Sequence, residues 1–248
     1  HAHSPGLAKR KSALTLSRMV HFTLFGIPVY IRPSFWVVLA IFGGALSISS
    51  VEDLIYPALF VIAGFVAILS HEMGHALVGR KLGGGQQTIV LELFGGLTSS
   101  HGMQLTRGGR ALMILAGPMM TLLLGIISLG LTWNIVAPVM TSYNLNFWDL
   151  AISPFTAALI SPKLYILSCL IMIGEWWTIL NLLPIYPLDG GQLIAQYIRS
   201  PRKVFMTGFI TAILIGLLSF QLFHGYFIPI FMALFAYSNY REYKNAPF

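Results

Sequence analysis

The chain has 248 residues, 56% of them hydrophobic and 9% charged, with a net charge of +7. An ordinary soluble domain is roughly 25% charged, so a water-facing globule is excluded, and the apolar runs reach the length that crosses a bilayer as helices. The Lys and Arg residues cluster beside those runs, which assigns the charge to membrane topology rather than to nucleic acid, and Cys169, the single cysteine, excludes an internal disulfide.

In chain order, HAHSPGLA reads as a vector-derived leader. Residues 1–20 are expected to be this leader and a cytoplasmic tail carrying Lys9, Arg10, Lys11 and Arg18, and 21–245 one transmembrane domain. Six apolar segments follow, at about 34–50, 55–79, 110–136, 163–182, 204–223 and 226–240, the first and last of them short. If six helices alternate, the N-terminal cluster, Arg80 and Lys81, Arg107 and Arg110, Arg199 with Arg202 and Lys203, and Arg241 with Lys244 share one side. Only Lys163 clearly faces the other. The basic side is then the cytoplasm, with both termini there.

The opposite side receives a turn with Glu52 and Asp53, a loop through about 137–162 with Trp148 and Asp149, and a tight turn near Gly225. Between the second and third segments, QQTIVLELFGGLTSS at 86–100 combines β-branched residues, partial alternation and a glycine pair, which predicts a hairpin. The expected class is an α-helical polytopic membrane protein of about six transmembrane helices with a small membrane-associated β-hairpin or sheet. Trp133, Trp148, Trp176 and Trp177 suit interfacial belts and packing.

The chemistry starts at His71-Glu72-Met73-Gly74-His75, a HExxH motif at the cytoplasmic end of the second segment. On a helix the two histidines lie one above the other on one face, near enough to share a Zn2+ ion. Glu72 is offset around the helix, where its carboxylate can take a proton from an attacking water. Two histidines and a glutamate are expensive inside an apolar span, so they mark function by default.

A catalytic zinc commonly takes three protein ligands, and the candidates for the third are Glu92, Glu175, Asp189, His101 and His224. Asp189 closes the run NLLPIYPLDGG where the fourth segment returns to the cytoplasmic side, at the depth of HExxH. Pro184 and Pro187 must break the helix there, and broken backbone at membrane depth is tolerated where it is buried in protein or lines a cavity. Glu175 is expected either to line a water path or to be hydrogen-bonded between helices, and His101 and His224 to be interfacial.

Together, HEMGH and NLLPIYPLDGG resemble the site-2 protease family of intramembrane zinc metalloproteases. The resemblance extends to GIPVYIRPSFW before the first segment, to the hairpin glycines and to AGP at 116–118. It implies one catalytic Zn2+ on His71, His75 and Asp189, Glu72 as catalytic base, and Asn181 positioning substrate or stabilising the oxyanion. It also implies a membrane-embedded protein substrate, with transcription factors, anti-sigma factors or sigma-factor precursors as the possible kinds, a bilayer setting such as the plasma membrane, and no nucleic-acid partner. Where relatives often place an asparagine after AGP, this chain has Met119, Met120 and Thr121. It carries neither a PDZ insertion nor a CBS module, which fits a minimal six-span member or a chain cut after Phe248.

A helix unwound for cleavage needs new backbone partners, and an extended substrate obtains them by adding to the edge of the 86–100 hairpin, with Gly95 and Gly96 permitting close approach. Two rival readings are a membrane metal transporter and an inactive helix-binding relative. A transporter predicts several metal sites along a path, and a pure binder has no use for Glu72.

Overall fold

The computed structural model describes residues 19–93, 95–102, 104–143, 153–224 and 226–247. The leader, the loop residues Trp148 and Asp149, and Gly225 lie outside the described residues. Strands β1 (Val20–Leu24) and β2 (Ile27–Ile31) form a hairpin, followed by α1 (Pro33–Phe42) and the long α2 (Ile55–Gly83). Strands β3 (Gln86–Glu92) and β4 (Gly95–His101) come next, then α3 (Arg107–Tyr143), the short α4 (Pro154–Ala158), α5 (Pro162–Leu182), α6 (Asp189–Ala195), α7 (Pro201–Phe223) and α8 (Phe227–Asn245).

Local chemistry sets many of these boundaries. The carboxylate of Asp53 accepts the amides of Ser49 and Ser50 just before α2, and Gly84, at φ 67°, ends that helix. Ser161 caps α5 by accepting the Leu164 amide, with Pro162 at the first helical position, and Pro184 stops the helix soon after Leu182. Pro201 opens α7 in the same way.

Each of the six apolar segments contains a helix, and among the described residues four helices are long and apolar enough to cross a membrane: 52–83, 107–135, 162–182 and 201–222. The chain is an integral membrane protein on that ground. The 10-residue α1 rises only about 15 Å, half the hydrocarbon thickness, and α8 ends in Arg241, Glu242 and Lys244.

The predicted hairpin forms, but it belongs to a larger sheet. Four strands run in the order β1-β2-β3-β4, with β2 and β3 parallel and both outer pairs antiparallel. The parallel pairing requires the chain to leave the sheet and return, which it does through α1 and α2. Ile27, Val29 and Ile31 alternate with more exposed neighbours, as do Ile89 and Leu91, so one face of the sheet is apolar. That face packs against Phe35 and Leu39 of α1 and Ile68, Leu69, Met73 and Ala76 of α2.

Helices α2, α3 and α5 form the central bundle, and small residues let them approach closely. A Cβ at Gly74 would meet the Ala116 backbone, and one at Gly174 would stand 2.9 Å from the Thr121 carbonyl oxygen. Helices α7 and α8 pack mainly on each other, around Ala212, Met232 and Ala236, and reach the rest of the molecule largely through Ile185 and α6.

Candidate active site

His71 and His75 lie in the middle of α2, buried between the sheet, α3 and α5. Their Nε2 atoms stand 3.1 Å apart, and Asp189 Oδ2 lies 3.0 Å from the first and 3.3 Å from the second. Among the described residues this trio is the one group of three or more histidine, cysteine or carboxylate side chains able to hold a metal.

The hydrogen bonds behind the rings determine what the three atoms can do. His75 Nδ1 is 2.8 Å from the Met113 carbonyl, which can only accept, so the ring proton is on Nδ1 and a neutral ring leaves Nε2 bare. Behind His71, Nδ1 is 3.4 Å from Thr121 Oγ1. That hydroxyl also lies within reach of the Gly117 and Pro118 carbonyls and of Thr178 Oγ1. With the Thr121 proton directed to a carbonyl, its oxygen accepts from His71, and the second Nε2 is bare as well.

Two bare imidazole nitrogens and a carboxylate oxygen then converge on one buried point, an arrangement that repels itself without a cation. Tetrahedral ligands at about 2.0–2.1 Å from Zn2+ stand about 3.3 Å from one another. The observed separations of 3.0, 3.1 and 3.3 Å fit that polyhedron, so the donor set suits zinc. Gly117 makes room for it: a Cβ there would run into the His75 ring.

The segment carrying Asp189 is shaped by its two glycines. A Cβ at Gly190 would collide with the carbonyls of Leu182 and Leu183, and one at Gly191 would stand 2.5 Å from the Ile185 oxygen and the Tyr186 nitrogen. The loop folds back against α6 so tightly that only hydrogen fits at either position, and that fold presents Asp189 to the histidines.

Glu72 is buried beside the trio, on the side covered by β4. The register pairs Thr98 with Ile89 and Gly96 with Leu91, which places Thr98 and Gly96 on the helix-facing side of the sheet. Thr98 Oγ1 donates to Glu72 Oε2 at 2.8 Å and also lies 3.2 Å from the Glu72 backbone carbonyl. A Cβ at Gly96 would stand 2.5 Å from Glu72 Oε1 and closer still to Cγ and Cδ. Gly95, at φ 123°, faces the Trp177 ring, where a Cβ would be 2.7 Å from Cζ2. Each hairpin glycine thus has an intramolecular neighbour, besides any part it plays toward substrate.

Asn181 is buried near the end of α5, and its Nδ2 donates to the Trp177 carbonyl at 2.8 Å. The other candidate ligands stay apart from the trio. Glu92 pairs with Arg32 at 2.9 Å, and His101 and His224 are exposed at the ends of β4 and α7. Glu175 is exposed on the outer face of α5, which corrects the expectation of a bond between helices: Gly174 and Thr178 occupy the packed side, and position 175 turns away from it. Beside β4 lies an apolar cleft of 260 Å³, with Phe35, Leu39, Ile68, Gly95, Trp177 and Phe231 in its lining.

Sequence reasoning missed Thr98, Met113 and Thr178, and named Thr121 only as a departure from the family's pattern, without a role. Thr98 was accessible through strand parity, two residues beyond Gly96, and Thr121 and Thr178 as hydroxyls inside apolar spans. Met113 contributes a carbonyl, which leaves no trace in residue type.

The arrangement has relatives. A zinc metalloprotease of Methanocaldococcus jannaschii is 29% identical over 227 residues, covering 87% of this chain and 57% of its own length. The chain spans about half the length of that relative. A solved structure, the site-2 protease from Methanocaldococcus jannaschii, superposes with a TM-score of 0.57 at 24% identity, covering 91% of this chain and 95% of the other, and shows a shared fold. Residues 59–223 match one family over more than half of the chain, a stretch that runs from within α2 to the end of α7 and takes in both histidines and the aspartate, and the chain therefore belongs to peptidase family M50.

Proposed function

We propose that the chain is a zinc-dependent endopeptidase that hydrolyses a peptide bond within or near a transmembrane segment of a membrane-bound protein. The observation that carries this reading is the convergence of His71, His75 and Asp189 on one buried point with Glu72 next to it. Membership of a peptidase family supports it.

In this mechanism His71, His75 and Asp189 would hold the ion. A Zn2+ ion bound there supplies Lewis acidity toward the scissile carbonyl and toward water. Glu72 takes the proton of the attacking water and delivers it to the departing amine. Thr98 holds Oε2, which leaves Oε1 to carry the proton. Asn181 has two amide hydrogens and spends one on Trp177, so the second is available to an oxyanion or to the substrate backbone.

The substrate adds as an extended strand along the open edge of β4, beside Gly95 and Gly96, and its apolar side chains enter the cleft beneath Trp177. An apolar cleft next to a strand edge suits a segment drawn out of a bilayer. Transcription factors, anti-sigma factors and sigma-factor precursors are the substrate kinds proposed. The basic residues at the ends of α2, α7 and α8 support a site that opens toward the cytoplasm, and the plasma membrane is the bilayer proposed.

Zinc content and cleavage of a generic transmembrane substrate test this, comparing wild type with Glu72→Gln and Asp189→Ala. Glu72→Gln is expected to keep zinc and lose cleavage, and Asp189→Ala to bind zinc more weakly. Undiminished cleavage by Glu72→Gln defeats the protease reading.

A further inference from the structure

Asp189 stands just beyond a loop, and the loop is fastened from the other end of the chain. The Tyr186 carbonyl, three residues before Asp189, accepts a hydrogen bond from Asn239 Nδ2 at 2.6 Å. The same nitrogen donates to the Phe235 carbonyl at 2.9 Å, one turn earlier on α8. Both acceptors are carbonyl oxygens, so the orientation of the amide is fixed by chemistry: the NH2 end must face them, and both of its hydrogens are used.

Asn239 is 1% exposed, on the helix that contributes Met232 and Ala236 to the apolar cluster with Ile185 and Ala212. Among the described residues its buried Oδ1 has no hydrogen-bond partner. Burying an unpaired amide oxygen in an apolar cluster costs stability, and an aliphatic side chain of similar volume would pack there without that cost. Gly208 on α7 completes the fit, because a Cβ there would overlap Asn239 Oδ1 and stand 2.9 Å from its Cγ and 3.3 Å from the Tyr186 nitrogen. One helix thus supplies an amide, its neighbour supplies the room for it, and both bear on Tyr186.

We propose that Asn239 is a positioning residue of the metal site. By holding the Tyr186 carbonyl it sets the path of the chain into Asp189, and so the placement of that carboxylate against His71 and His75. On the other side of the loop, Gln192 Nε2 donates to the Pro187 carbonyl at 2.9 Å, so two successive carbonyls are held by side chains on different helices. The proposal rests on reading His71, His75 and Asp189 as the zinc ligands.

The test measures zinc affinity of the full chain in detergent by chelator competition, with the Co2+ absorption spectrum reporting ligand geometry. The proteins are wild type, Asn239→Leu, Gly208→Ala, Asp189→Ala and Ser219→Ala. Ser219 is buried on α7 and donates to the Gly216 carbonyl of its own helix, so its variant perturbs the helix pair without touching the loop. Asn239→Leu is expected to weaken zinc about tenfold, the lower end of losses on removing a supporting hydrogen bond, and to alter the cobalt spectrum. Ser219→Ala is expected to change neither.

Gly208→Ala displaces the amide without deleting it and is expected to shift the cobalt spectrum in the same direction. It decides the question if Asn239→Leu does not fold. Wild-type affinity and spectrum in the folded loop variants, with Asp189→Ala weakened, overturn the positioning role and leave the ligand set standing. A wild-type chain that binds no zinc, or Asp189→Ala binding as well as wild type, overturns the ligand set and the positioning role with it.

Discussion

Gly96→Ala is expected to remove catalysis while leaving the metal in place. The added methyl would overlap Glu72 Cγ and Cδ and stand 2.5 Å from Oε1, where ordinary contact begins near 3.4 Å, so the side chain from Cγ outward must shift by about 1 Å or more. The nearest overlapping atom is Cγ, close to the helix backbone in a buried side chain, so folding stability is also expected to fall, by about 1–3 kcal/mol. Catalysis is the more sensitive readout, since a misplacement of about 1 Å costs on the order of a hundredfold in rate. The three nearest neighbours of position 96 are all atoms of Glu72 and none belongs to His71, His75 or Asp189, so zinc stoichiometry should stay at the wild-type value. Single-turnover cleavage of a transmembrane substrate, with metal analysis and thermal denaturation of the same preparation, separates these effects. A Gly96→Ala protein that cleaves at the wild-type rate would refute the reasoning, because Glu72 would then not need the place the structure gives it.

Two further outcomes follow from the same geometry. Thr98→Val keeps the shape of the side chain and deletes the hydroxyl on Glu72; a hydrogen bond to a charged group is worth about 1.5–3 kcal/mol, so kcat should fall at least tenfold, Thr98→Ser should retain most activity, and equal rates in all three proteins would count against the contact. Gly190→Ala drives a methyl into two backbone carbonyls that cannot turn aside, so zinc content should drop and folding stability fall by about 1–3 kcal/mol, read by metal analysis and melting; wild-type values in both would show that the loop has slack.

Much of this architecture was legible because its requirements are written in residue types. Two histidines four apart on a helix must share a face, and a glutamate within an apolar span needs a reason to be there. The prolines of 184–187 announce a break, and the glycine pair after Asp189 announces a tight return. The hairpin at 86–100 was visible for the same reason. The other half of the sheet was harder to see, because Ile27–Ile31 looks like an approach to the first helix until its pairing with β3, about sixty residues later, is known. The supporting contacts are harder still. Thr98 reaches Glu72 only because of register, Met113 acts through its carbonyl, and Asn239 bears on a loop 53 residues before it. Such contacts depend on where the chain comes together, and residue type alone is silent about that.

Asp189 lies 118 residues beyond His71. At about 5–20 residues per second of synthesis, the helix bearing the two histidines and Glu72 is made on the order of ten seconds before the aspartate that completes the trio. During that interval the growing chain holds its base and two metal-binding rings with no third ligand to close the site. A site proposed to cut inside membranes thus lacks its third ligand until Asp189 is made, and its Asn239 tether arrives 50 residues later still, a delay set by the order of residues along the chain.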